Sequence, residues 1–234
     1  MKKLFVIITT GILLLLNSPL VFPEEPVFAP EEHCLAYKTV KTMFFFADVD
    51  VIGKSCDVTA EMHWEESGEK AQVEVSVLVK TLDSGNVFRD GDIPEILKAD
   101  LTPNIRFVAE WLEKSDWEKM MEGQLPEVSG NLEVAGGIFP VKFALSFSKQ
   151  AGFLLVEGQL KTTLSALNVD VPLVAGGLIA DPQDELELQL YLRLDKIAGA
   201  EKLDSLTGFW TKVYTSCICR GLSSRRSLNP KLVR

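Results

Sequence analysis

Side chains that carry out chemistry are scarce in this sequence. Two histidines and four cysteines occur among 234 residues, whereas an enzyme needs groups that exchange protons, attack a substrate or hold a metal. No nucleophile elbow, glycine-rich phosphate loop, HExxH pair or double CxxC is present, which removes the common hydrolase, nucleotide-binding and zinc-enzyme patterns. His33 falls in an apparent linker. His63 ends a strand-like run beside Glu61, Glu65 and Glu66, an arrangement that reads as a solvated strand end rather than a zinc site. Asp90 and Asp92 are a carboxylate pair, but the adjacent Arg89 assigns them to a structural ion pair. Positive charge is also short: the net charge is −9. By segment, residues 1–29 sum to zero, residues 198–234 to +5 and residues 30–197 to −14. Binding nucleic acid requires Lys and Arg to neutralise phosphates, so a surface this acidic excludes it as a partner.

A long apolar run occurs once, from Leu4 to Leu16 after Lys2 and Lys3. This is the layout of an export signal or N-terminal anchor, and it places the protein in the periplasm or elsewhere in the cell envelope, with a membrane tether through the N-terminus left open. Val27 and Ala29 suit a cleavage site, although Pro30 follows directly. An exported chain can form disulfides. Cys34 and Cys56 flank the first strand-like run, and the sequence leaves them open as bridge or free thiols; Cys217 and Cys219 are too near for an unstrained mutual bridge.

Between these ends the dominant signal is alternation of period two, which puts one set of side chains on each face of a strand. Val73, Val75 and Val77 alternate with Gln72, Glu74 and Ser76. Leu186, Leu188, Leu190, Leu192 and Leu194 alternate with Glu185, Glu187, Gln189, Tyr191 and Arg193. Weaker alternation over 40–47, 55–63, 104–111, 128–134, 139–147 and 152–164 brings the expectation to about eight strands. Two short helices are expected, one capped by Asp92 ahead of Pro94 and Glu95, the other by Ser115 ahead of Glu118. The domain plan is a signal or anchor over 1–29, a linker over 30–37, a β-domain over 38–197 and a basic, partly helical tail over 198–234. Residues whose sequence neighbours are polar should face inward: Val75, Val77, Phe107, Leu132, Phe143, Leu145, Leu188 and Leu190.

The segment TLDSGNVFRDGDIPEILKADLTPNIRF, residues 81–107, carries a Ser-Gly turn, an Arg-Asp pair, a short helix and a strand with Pro, Ile and Phe. Here those positions are Ser84, Gly85, Asn86, Arg89, Asp90, Leu97, Pro103, Ile105 and Phe107. GNLEVAGGIFPVKFALSF and LSALNVDVPLVAGGLIADPQDELELQLYLRL follow in order. Together they resemble the YceI-like, polyisoprenoid-binding family over roughly residues 38–195. In place of the family's frequent residues, Ile96 and Leu97 replace paired aromatics, Thr102 an aromatic, Phe139 a basic residue and Asn168 a glycine. The resemblance implies an all-β fold, an extended antiparallel lipocalin-like barrel with one or two short helices. It also implies a non-catalytic role: holding a long isoprenoid lipid, of polyprenol or quinone type, with no other cofactor. The eight inward residues would line the chain's path. Ser84, Gly85, Asn86, Arg89, Asp90 and Pro103 would be architectural. A neutral head is expected unless Arg89, Lys98 or Arg106 stands at the entrance. A solid structural or stress-associated barrel without a ligand is the alternative, and a homodimer is left open.

Overall fold

The computed structural model describes residues 27–43, 47–150, 152–170 and 180–203. Ten strands form: β1 (Cys34–Met43), β2 (Ala47–Ser55), β3 (Val58–Trp64), β4 (Lys70–Leu78), β5 (Asn104–Ala109), β6 (Leu112–Glu113), β7 (Glu127–Val134), β8 (Gly137–Gln150), β9 (Phe153–Thr163) and β10 (Ala180–Arg193). Two helices interrupt them, α1 (Val87–Ile96) and α2 (Lys114–Met121). The strands join in one curled sheet of order β2-β1-β10-β9-β8-β7-β5-β4-β3, with β6 added to β4. Every pairing is antiparallel. The fold is thus all-β, as alternation predicts, and a lipocalin-like half-barrel, as the resemblance implies, with two strands more than expected.

The sheet curls because one face of each strand is apolar and the other polar. Val75 and Val77 of β4, Ile105 and Phe107 of β5, Leu132 of β7, Phe143 of β8 and Leu186, Leu188, Leu190 and Leu192 of β10 are buried in a common core. Lys142 and Ser146 on the opposite face of β8 are exposed. Tyr191 points outward but is buried, since Phe28 stacks on its ring at 5.1 Å.

The hydrogen-bond ladder does not close between β2 and β3, the two ends of the strand order. Unpaired edges template unwanted association, and here each edge is met at one point by a short segment. Lys54 on β2 exchanges both backbone bonds with Asp83, at 2.8 and 2.9 Å. On β3, Met62 donates to the Ala198 carbonyl at 2.7 Å and Ala198 donates to Ala60 at 3.1 Å. Cys34 and Cys56 form a disulfide that ties the first residue of β1 to the link between β2 and β3.

Several boundaries differ from the sequence reading. The expected strands 40–47 and 55–63 each straddle a junction, at the β1–β2 connection and at the β2–β3 corner, because apolar residues continue on both sides of these junctions. The expected linker 30–37 includes the first four residues of β1, and His33 beside them is buried, its Nδ1 accepting the Arg193 N–H at 3.1 Å. The start of the expected tail is also folded: Trp64 Nε1 donates to the Gly199 carbonyl at 2.8 Å, and Leu203 is buried. The signal or anchor up to residue 26, Cys217 and Cys219, and the tail beyond Leu203 lie outside the described residues. Among the described residues no helix is long and apolar enough to cross a membrane.

Candidate functional site

The site starts from the turn that follows β4. Gly85 adopts φ +71°, a left-handed conformation that glycine enters without a Cβ clash, and the Asp83 carboxylate accepts its N–H at 2.7 Å. Asn86 then caps α1: its Oδ1 accepts from the N–H groups of Phe88 and Arg89 at 3.1 and 3.2 Å. The helix therefore begins six residues before the expected Asp92 cap, and Pro94 lies inside it rather than in its first turn. The local rule was right about cap chemistry, but Asn86 competes for the same role and wins by fitting the turn. Helix α2 likewise starts at Lys114, without a side-chain cap from Ser115.

Ser84 is the hub of this motif. Arg89 donates from Nε to the Ser84 hydroxyl at 2.7 Å and from a terminal nitrogen to the Ser84 carbonyl at 3.0 Å. Asp90 accepts the Ser84 N–H at 3.0 Å and also its hydroxyl. Arg89 and Asp90 are thus joined through a serine rather than by the ion pair expected from sequence. Pro103 contributes its carbonyl, which accepts the Val79 N–H at 2.9 Å. The departures noted in sequence have local reasons. Asn168 holds φ 55°, a conformation asparagine tolerates better than most residues, and buried Thr102 accepts the Gly136 N–H at 2.5 Å.

Helix α1 lies over one end of the barrel and presents Ile93, Ile96 and Leu97 to a cavity of about 140 Å³. Leu35, Ile105, Leu132, Leu186 and Leu188 supply apolar wall from the strands. Among the described residues its polar lining is limited to Tyr37, Thr39, Arg89 and Gln183. Tyr37 and Thr39 are successive same-face positions of β1, and Gln183 lies near the start of β10, which pairs there with β1. Tyr37 is held flat by the absence of a side chain opposite: a Cβ at Gly53 would stand 2.4 Å from the ring. Burial pushes the Tyr37 hydroxyl pKa up, opposed by the charge of Arg89 and a hydrogen bond with Ser84, so the group remains a neutral phenol.

A second cavity of about 60 Å³ lies further along the barrel, against Trp117, Met121 and Leu203. Successive inward residues divide between the two: Ile105 lines the first and Phe107 the second, and Leu188 the first and Leu190 the second. One packed layer separates them, held in part by the edge-to-face contact of Phe107 and Phe143 at 5.0 Å. Of the eight residues read as inward-facing, seven are buried and Leu145 is half-buried. Leu132 and Leu188 reach the first cavity; Val75, Phe107, Phe143, Leu145 and Leu190 reach the second; Val77 lines neither. Sequence reasoning missed Tyr37, Thr39 and Gln183, since nothing in a polar residue's neighbours marks it as lining an apolar cavity.

Other clusters have simpler readings. His63 is half-exposed, its Nε2 3.8 Å from both Glu61 and Glu74, while Arg106 pairs with Glu74 on the outer face at 2.6 Å. Lys98 donates to the Asn168 carbonyl at 3.1 Å. Glu32, Cys34 and Cys56 bring three donor atoms within 4.8 Å of one another, but the sulfurs are bonded to each other and Glu32 to Lys54 at 2.8 Å. A wider depression of about 540 Å³ lies outside β8–β10, but its Ser146, Gln150 and Glu157 are bonded among themselves.

No curated protein sequence matches this chain. Among solved structures, Burkholderia cenocepacia BcnA is similar at 16% identity and a TM-score of 0.47, covering 66% of this chain and 94% of that one. A polyisoprenoid binding domain from Saccharophagus degradans is similar at 10% identity and a TM-score of 0.47, covering 67% and 91%. The Campylobacter jejuni YceI protein is similar at 14% identity and a TM-score of 0.39, covering 60% and 82%. A family model matches residues 29–193, a span that contains the whole sheet and the Ser84–Asp90 motif, and the chain belongs to the YceI-like domain family.

Proposed function

We propose that this protein binds the apolar chain of an isoprenoid-type lipid inside its barrel, as a carrier in the cell envelope, and performs no reaction on it. The observation that carries this reading is the cavity under α1: set between a helix and a curled sheet and lined almost wholly by apolar side chains. That combination is the usual form of a small-molecule site. The disulfide between Cys34 and Cys56 supports an oxidising compartment.

Cavity size refines the reading. An engineered cavity of about 150 Å³ takes up benzene, so the space of about 140 Å³ receives one short piece of a chain. A longer chain must part the layer of Val77, Phe107 and Leu190 to reach the second cavity. Each Å² of apolar ligand surface taken from water contributes about 25 cal/mol, less the cost of opening that layer. Affinity should therefore climb with chain length, stall where the first cavity is full, and climb again once the layer opens. Titration of lipid-free protein with prenols of one to eight isoprene units tests this. Absence of binding at every length would favour the solid barrel.

A further inference from the structure

We infer that the outer face of helix α1 docks on a zwitterionic bilayer surface, with Val87 and Phe88 as its inserted anchors. The inference rests on the lipid-binding reading above only for its use: a carrier whose lid lies against the bilayer takes up a chain without exposing it to water.

Helix α1 carries apolar side chains on two sides. Ile93, Ile96 and Leu97 turn to the cavity, whereas Val87, Phe88, Gly91, Asp92 and Glu95 are exposed, and their spacing of four sets them along one outer face. Val87 is 81% exposed and Phe88 84%. A single exposed apolar residue is ordinary; a cluster marks an interaction surface. Among the described residues the next most exposed large apolar side chains are Leu101, at 76%, and Ile138, at 68%. Both lie at the other end of the same helix. Leu101 follows it, close against Gly136, and Ile138 stands just beyond Gly136 in the β7–β8 hairpin. Trp111 and Leu125 are less exposed and lie past the opposite ends of β5 and β7. The most exposed apolar surface thus gathers along the helix that lids the cavity.

The layout of the chain points to a bilayer as the occupant. The Val27 carbonyl accepts from Lys54 Nζ at 3.3 Å, and Lys54 exchanges backbone bonds with Asp83, shortly ahead of Val87. Residues 1–26, which carry the apolar run from Leu4 to Leu16, therefore join the barrel beside the start of α1. The link from Leu16 to Val27 spans at most about 40 Å, so a membrane holding that run lies within reach of the helix. Charge then selects the kind of surface. Asp92, Glu95 and Asp100 are exposed among the apolar anchors and repel an anionic leaflet. The ammonium of a zwitterionic head group complements them.

The test places a fluorophore at each end of the barrel in the full chain. Phe88→Trp and Leu125→Trp are compared on vesicles of phosphatidylcholine with brominated acyl chains, which quench tryptophan that enters the apolar layer, and the native protein supplies the background. The fluorescence gained at position 88 should be quenched and that gained at position 125 kept. Adding phosphatidylglycerol should reduce the quenching at 88 and raised salt should restore it, whereas Asp92→Asn with Glu95→Gln should make it insensitive to both. Val87→Ser with Phe88→Ser should slow prenol uptake from vesicles by about tenfold or more, the scale of burying one large apolar side chain, and leave uptake from solution unchanged. Equal quenching at the two positions, or stronger quenching at 88 with phosphatidylglycerol, overturns the docking assignment. Self-association without vesicles that Phe88→Ser abolishes would give the face to a second copy of the chain and overturn it as well. Quenching at 88 in a protein that takes up no prenol from either source upholds the docking and counts against the lipid-binding reading.

Discussion

His33 makes the stability of this fold dependent on pH in a window of its own. Its ring is 7% exposed at the start of β1, and its Nδ1 accepts the Arg193 N–H at 3.1 Å. Burial lowers its pKa to about 4 from an ordinary 6.5, with the charges of Lys196 and Arg193 adding to the effect and Asp195 opposing it. The unfolded chain therefore takes up a proton before the folded one does. Stability is fully present above the unfolded value and is lost as pH falls from about 6.5 towards about 4. At about 1.36 kcal/mol for each pH unit, the whole window is worth roughly 3 kcal/mol, most of it lost by about pH 4.5. The carboxylates paired with arginine act lower. Hydrogen bonding with Arg193 lowers the pKa of Asp195, and hydrogen bonding with Arg106 that of Glu74, so their contributions persist until the acid side of the carboxylate range. The assay is urea denaturation followed by tryptophan fluorescence at several pH values between about 4.5 and about 7.5. His33→Asn, which keeps an acceptor for the Arg193 N–H but cannot titrate, should flatten the dependence. Parallel curves for the two proteins would refute the assignment of this window to His33.

Removal of the disulfide by Cys34→Ala with Cys56→Ala, closing a loop of sequence separation 22, should lower stability by roughly 3 kcal/mol on the chain-entropy account, read as a lower urea midpoint. Gly199→Ala should cost about 1–3 kcal/mol, because φ is +83° there and a Cβ would stand 2.2 Å from the Met62 carbonyl; hydrogen exchange should show the β3 edge losing protection. Leu97→Trp should fill the cavity of about 140 Å³ and weaken prenol binding at least about tenfold, with the melting temperature little changed. Phe107→Ala should cost about 3–5 kcal/mol and join the two cavities, so that the stall in affinity with chain length disappears from the titration.

Alternation carried most of the fold because its physics is local. In β4 and β10 the apolar and polar faces follow directly from neighbouring residues, and the buried valines and leucines sit where period two places them. Where both faces are covered the rule fails. Tyr191 is outward and buried only because Phe28, far away in sequence, stacks on it. His33 could not be placed for the same reason: its partner Arg193 lies 160 positions later. The helix start moved from Asp92 to Asn86 because two residues offer equivalent cap chemistry, and only the turn at Gly85 decides between them. The cavity's apolar wall was legible as inward residues, whereas its few polar lining residues are brought there by register. Tyr37 reaches Arg89 because Gly53 stands opposite it, a pairing fixed by the antiparallel match of β1 with β2.

The central claim is that the barrel holds a lipid, and native mass spectrometry of the protein purified without detergent tests it most directly. The account predicts a population heavier than the polypeptide by the mass of one single-chain lipid, released on organic extraction and diminished in Leu97→Trp. A bare polypeptide mass, together with no uptake of added prenol, would contradict it.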